Sequence, residues 1–436
     1  MALKKNTLNY LAIAAFVAVV AWLTWNANQI NPGQTTLEGK PRTSFELLNI
    51  GTIGAAIAGL GALLILLFRR WSWLVASVLL GIVTVVSLAG FLWSPGQLGI
   101  SDWDYYFSYH TALNKTITEF RQFPLWNPYI CGGTSAIGDP EFPVFSPLFW
   151  PELLFGSSEG LQIAIFISVA TFAVGVLMLA KRLSLSPLGS FFAALAASFG
   201  SVSLLEIVEG HPNILSAMWI PWVFWGWHRA YVKTIDSGIK IKSLASISQL
   251  LRNALVCGIF LALTFFQGGI YLLMYTAIAF IFLIAISRHR LAALSTSLVA
   301  GLWALGLAAI KLVPVALWLK DFQDKAYASS ASILPYLHKV LLGRYLHGSE
   351  NVIAAQGGGW HEYGAYIGPI VLILAAYGLW REWRRGSVKA LFLAAIIALV
   401  VSSSGPLLSP SLTKHRSCLV QTFPVLSCWL CYLSAC

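Results

Sequence analysis

Two carboxylates, Asp102 and Asp104, stand one residue apart in the stretch SDWDYYFSYH, with Tyr105, Tyr106, Tyr109 and His110 beside them. Only 10% of the chain is charged, so acids placed together this way need a reason. A carboxylate within hydrogen-bond reach of a hydroxyl can take its proton as a general base. Negative charge beside a sugar carbon also stabilises oxocarbenium character during glycosyl transfer. An extended backbone would point Asp102 and Asp104 to the same side, whereas a helix would set them about 200° apart. The plainer reading is that such acids cap a helix or keep a membrane interface wet.

Further polar groups follow. Arg121 precedes a rigid PLWNPY turn, then the flexible CGGT, then a second acid pair, Asp139 and Glu141, in GDPE. That tetrapeptide is also ordinary turn chemistry. Prolines at 140, 143, 147 and 151 hold this part extended and prevent one long helix. EIVEGHPN places Glu206, Glu209 and His211 at a short turn between apolar runs, where polar groups are expensive and often functional. FFQGG puts Gln267 at another such turn, with Gly268 and Gly269 serving tight turning. Lys311 lies inside the apolar run LAAIKLVPVALWLKD and is expected to snorkel outward. A later segment offers Lys320, Lys325, His338, Lys339, Arg344 and His347, then His361 and Glu362 in GGGWHEYGAY. Its cations suit an anion such as a phosphate group, although a solvated amphipathic loop would carry the same residues.

The elements that must position these groups are membrane helices. The chain is 58% hydrophobic, with a mean hydropathy of +0.74. Apolar stretches recur along its length, each long enough to cross about 30 Å of hydrocarbon. Without water to satisfy their backbone groups, such stretches must be helical. The expected class is all-α, a polytopic transmembrane bundle of about 11–12 spans. They fall near 8–25, 46–68, 73–94, 160–180, 187–208, 212–228, 253–267, 270–287, 292–318, 364–380 and 390–408. Basic residues stay on the cytoplasmic side. Lys4 and Lys5, Arg69 and Arg70, Lys181 and Arg182, Arg229 to Arg252, Arg288 and Arg290, and Arg381 to Lys389 then all fall inside. Of the acids, only Asp236 and Glu382 fall in those connections. The net charge of +11 therefore belongs to cytoplasmic loops and excludes a nucleic-acid surface as its cause.

Residues 1–436 read as one integral membrane domain with a cytoplasmic N-terminus. Two outer connections are long, 95–159 and 320–362, and long connections are functional or disordered. The first is rich in aromatic residues and prolines, can lie on the membrane interface, and is the candidate catalytic loop. The first span is expected to be an uncleaved span, not a signal peptide. Residues 410–436 differ in texture and hold four of the six cysteines. They read as a partial twelfth span or as the truncated end of a longer chain.

The motifs SDWDYY, FPLWNPYICGGTSAIGDPEFPVFSPLFW, EGHPNILSAMWIPW and HEYGAYIGPIVLILAAYGL together resemble the bacterial YfhO-type membrane proteins of the GT-C glycosyltransferase superfamily. The resemblance covers roughly residues 95–400. It implies a GT-C-like fold and an enzyme of the bacterial cell membrane. That enzyme would move a sugar from a polyprenyl-phosphate donor to a glycan, lipid or protein acceptor, with its active site on the outer face. It further implies that an acid of the first outer loop is catalytic, carried here onto Asp104 first and Asp102 second. The departing phosphate would need cations or donors, for which Arg121, His211, Lys320 and Arg344 are candidates. Asp139, Glu141 and Glu362 would line the substrate site, and Tyr105 and Tyr106 would wall the sugar or carrier. No cofactor is firmly implied; a divalent cation, Mg or Mn, could bridge phosphate and carboxylates.

The alternative is a multi-span transporter or lipid flippase. Against it, no internal repeat is visible and few charges sit centrally within spans, where transporters place their sites.

Overall fold

The computed structural model describes residues 72–92, 102–237 except 131, 244–321 and 366–384, with scattered helical positions between 59 and 65, at 341–342 and between 388 and 396. The span expected near 8–25, most of the span near 390–408, most of the second long connection and the 410–436 tail lie outside these residues.

The described chain is mostly helical. Its helices are α1 (Ser72–Leu92), α2 (Trp103–Thr118), α3 (Trp150–Phe155), α4 (Ser157–Arg182), α5 (Pro187–Ser198), α6 (Ser201–Glu209), α7 (Ile220–Asp236), α8 (Leu244–Phe266), α9 (Ile270–Ile286), α10 (Arg290–Asp321) and α11 (Pro369–Glu382). Three stretches, Ser157–Arg182, Ala245–Phe266 and Arg290–Lys320, are long and apolar enough to cross a membrane. The apolar helices at 72–85, 187–198 and 270–286 are shorter. Lys181 and Arg182 close the last turn of α4, where cations complement the helix dipole.

Two expected spans are broken. The run 187–208 is two helices, α5 and α6, parted at Phe199 and Gly200. Gly200 takes an extended backbone (φ −62°, ψ 148°), and glycine is among the weakest helix formers. The run 212–228 begins as a 3-10 helix over Pro212–Trp219 and becomes α-helical only from Ile220. Pro212 and Pro221 each occupy a first helical turn, the place that tolerates a missing N–H. Hydropathy alone does not register either break, because the residues on both sides are apolar.

The backbone after Asp102 is helical, which answers the question of its conformation: α2 begins at Trp103, with Asp102 as its N-cap. The described residues after α2 form further local structure. A two-residue ladder pairs β1 (Trp126–Asn127) antiparallel with β2 (Thr134–Ser135), Trp126 opposite Ser135. A 3-10 turn at Pro147–Phe149 then leads into α3. The prolines do prevent one long helix, but Pro147 and Pro151 do so by starting short ones.

The loop has its own core of Tyr109, Leu113, Ala136, Phe142 and Phe149. It joins the larger body through Trp103, which packs with Leu161, Ile165, Leu215 and Met218 around α4. A separate core ties α7, α8 and α10 through Val223, Trp227, Ala254, Cys257 and Ala300. The loop is thus held against the ends of the helical body.

Candidate functional site

Residues three and four apart share one side of a helix. On α2 that side carries Tyr106, Tyr109, His110 and Asn114, with Asp102 one turn before them. Each meets a polar partner. The Tyr106 hydroxyl donates to the Glu141 carboxylate. Tyr109, 1% exposed, donates to the Ala136 carbonyl at 3.3 Å and engages Asp139. His110 Nδ1 lies 2.9 and 3.0 Å from the two oxygens of Glu152, both side chains being buried. Asn114 donates to the Glu152 carbonyl. These contacts fix the rotation of α2 and with it the position of Asp102.

Asp102 occupies the N-cap of α2, but its side chain caps nothing. It turns instead to His211, with Oδ2 3.3 Å from Nε2. Nδ1 of the same imidazole is 2.6 Å from Glu206 Oε2 and 3.8 Å from Glu209 Oε2. Gly210 makes this approach feasible. It sits in the left-handed region (φ 110°), and a Cβ there would strike the backbone of Trp103. Asp102 N accordingly donates to Glu209 O at 2.9 Å, and Trp103 Nε1 to Ile207 O at 2.7 Å. Burial works to lower the His211 pKa, but the hydrogen bond and charge of Glu206, with Glu209 and Asp102, overcome it and push it up to about 9. His211 is therefore an imidazolium at neutral pH.

A second centre forms around Glu141. Besides Tyr106, Glu141 accepts from Asn213 Nδ2 at 2.8 Å, and its backbone N–H donates to Asp139 Oδ1 at 2.8 Å. That is the turn chemistry expected of GDPE. Burial raises the pKa of both Asp139 and Glu141. Burial, reinforced by these acids, also raises the tyrosine pKa at 106 and 109, so both phenols stay protonated donors. Gly268 (φ 86°) brings the next turn against this centre, since a Cβ there would lie 3.1 Å from Glu141 Cα.

Lys311 does not snorkel. It is fully buried, and its Nζ donates to the carbonyls of Phe265 and Phe266 at 2.9 and 3.2 Å. These belong to the last turn of α8, whose carbonyls have no partner within their own helix. The side chain is long enough to reach this nearer polar anchor, and its charge also acts on Asp139.

Between the two centres lies a small cavity of about 30 Å³, lined by Glu206, His211, Asn213, Gly269, Tyr271 and Tyr275 among others. It has room for a water or two or for one substituent of a larger ligand. Gln267, 3% exposed, leaves its Oε1 without a partner among the described residues.

The other expected site residues are dispersed. Asp104 is exposed on the first turn of α2 and forms no side-chain hydrogen bond or ion pair among the described residues. The helical backbone explains this, because it turns Asp104 about 200° from Asp102. Tyr105 is half exposed and stacks parallel to Tyr109 with 6.4 Å between ring centres. Arg121 is exposed, with a left-handed φ of 57°. Lys320 is exposed near the end of α10. Arg344 and Glu362 lie outside the described residues.

Residues that the motifs alone do not single out are Asn213, Glu152, Tyr271 and Tyr275. The only signal for Asn213 was its place two residues after His211 in EGHPN. Glu206, Glu209 and His211 bring ligand atoms within 4.8 Å of one another. This mixed nitrogen and oxygen set suits Mn²⁺ better than Mg²⁺, which prefers oxygen and water. A metal on Nδ1 would displace the proton shared with Glu206.

No protein-family model matches the chain, and no curated protein matches it.

Proposed function

We propose that the chain is a polytopic membrane glycosyltransferase with a GT-C-like arrangement. It would transfer a sugar from a polyprenyl-phosphate donor to a glycan, lipid or protein acceptor at the outer face of a bacterial cell membrane. The observation that carries this reading is the Asp102–His211 pair beside a cavity, with the resemblance of the first loop in support. His211 holds the Asp102 carboxylate at 3.3 Å, and a general base must be positioned in this way.

In this mechanism Asp102 takes the proton of the acceptor hydroxyl as its oxygen bonds to the anomeric carbon. The bond from that carbon to the phosphate oxygen breaks, and its electron pair leaves with the polyprenyl phosphate. Imidazolium charge on His211 would balance the departing phosphate, and Arg121, Lys320 and Arg344, which the described structure does not bring to this pair, are the remaining cation candidates. Asp104 is the outer carboxylate of the pair and takes second place to Asp102. Glu141 and Asp139 hold the loop through Tyr106, Tyr109 and Asn213.

One observation favours a second reading, a transporter or flippase. Lys311 is buried in a long apolar helix, and charges at such depth often mark transport paths. Cells whose surface glycan changes on loss of the gene discriminate the two. Under the transferase reading, Asp102→Asn at normal expression fails to restore the glycan and Lys311→Met retains partial function. Full restoration by Asp102→Asn, with loss only in Lys311→Met, favours transport.

A further inference from the structure

The first loop carries an apolar face that no described part of the protein covers. Trp126, Tyr129, Trp150 and Leu154 are 56%, 62%, 65% and 75% exposed, and Phe123 and Phe155 are exposed with them. Trp150 and Leu154 are four apart on α3 and so share a side. Soluble surfaces rarely gather large apolar side chains so densely; an assembly or membrane contact is the usual cause.

Three contacts locate this face. Gly156 alone separates α3 from α4, and Gly160 in the first turn of α4 packs against the Glu152 backbone of α3, so Trp150 and Leu154 lie beside the start of a helix fit to cross a membrane. The Phe145 ring, which packs on Phe123 at 5.7 Å, lies 5.6 Å from Phe266, the last residue of α8. Gly138, next to the β ladder, abuts Trp318 near the end of α10, where an added Cβ would lie 2.8 Å from Trp318 Cβ. The loop therefore sits at the same end of all three long apolar helices. Its exposed residues include Phe123, Trp126, Tyr129, Trp150, Leu154 and Phe155, with the polar Glu119, Arg121 and Gln122 exposed just before them, and such aromatic side chains suit the boundary between head groups and acyl chains.

We propose that this face beds into the head-group boundary of the lipid bilayer, making the first loop a membrane-resting module. The inference rests on the membrane reading of the long helices and stands independently of glycosyl transfer.

Spin labels test it directly. Single cysteines at Trp126, Tyr129 and Leu154, in a background lacking the native cysteines, are labelled in lipid nanodiscs, with Ser108 on the exposed side of α2 as control. Labels at 126, 129 and 154 should collide more with oxygen than with a water-soluble nickel chelate, and the label at 108 should show the reverse. Nickel access at 126, 129 and 154 equal to that at 108 overturns the proposal. Exclusion of both reagents also overturns it, since residues 322–365 or another protein would then be the cover. If the cysteine-free chain does not fold, the native protein in bromine-bearing lipids is compared with Trp126→Phe/Trp150→Phe. The double variant should lose a lipid-quenched part of the tryptophan emission; an unchanged quenched fraction contradicts the proposal.

Discussion

Asp102 and His211 come from separate segments, the start of the first loop and the turn after α6, and meet at 3.3 Å between Oδ2 and Nε2. His211 is held on its other nitrogen by Glu206, so one imidazolium links acids from two chain segments. The contact depends on Gly210, which lets the α6 turn press against the first residues of α2.

The pair makes stability depend on pH. The His211 pKa rises from 6.5 when unfolded to about 9 in the fold. Its contribution is fully present below pH 6.5, falls between 6.5 and 9, and is gone above. Thermal unfolding in detergent should show a midpoint drop of a few degrees between pH 6 and pH 9.5. That drop should shrink in His211→Gln; an equal drop in both proteins counts against a charged His211.

Gly210→Ala tests the turn itself. A side chain at φ 110° with the Trp103 backbone in its way is strained by roughly 1–3 kcal/mol before any repacking. We expect a lower yield of folded protein and a lower melting point. Gly301→Ala, where a Cβ meets nothing within 4 Å, should be near neutral or slightly stabilising. Equal behaviour of the two variants would mean that the α6 turn does not press on α2.

Lys311 supplies a third test. Lys311→Met removes the side-chain donor from the Phe266 carbonyl, leaves the Phe265 carbonyl with the Gly268 N–H and removes a charge acting on Asp139. A loss of about 1–3 kcal/mol is expected, the range for leaving a buried acceptor without its donor. Lys311→Met/Asp139→Asn should cost less than the sum of the single changes, because groups that interact couple. A lysine that reached solvent instead would make Lys311→Met nearly silent.

How legible this was varies by element. The long apolar helices could be read from hydropathy, since α4, α8 and α10 are continuous runs bounded by glycine or charge. The breaks at Gly200 and across Pro212–Trp219 could not, because backbone geometry decides them and the apolar composition continues. At the site, His211 stood out as a polar group between apolar runs. Its choice of Asp102 over Asp104 depended on whether SDWDYY was extended or helical, which D-x-D spacing leaves open. Asn213 on Glu141 and Glu152 on His110 are long-range pairings with no local pattern. Lys311 was misjudged because snorkelling assumes water is the nearest polar partner, whereas the end of α8 is nearer.

The central claim is that Asp102, oriented by His211, is the base of a sugar transfer. Its most direct measurement is transfer from a panel of polyprenyl-phosphate hexoses by purified protein in nanodiscs, comparing Asp102→Asn and Asp104→Asn with the unaltered chain. Asp102→Asn should lower the turnover rate by about 10²–10⁴-fold, the usual contribution of general base catalysis, while Asp104→Asn keeps most of it. Transfer by Asp102→Asn at the unaltered rate would contradict the account.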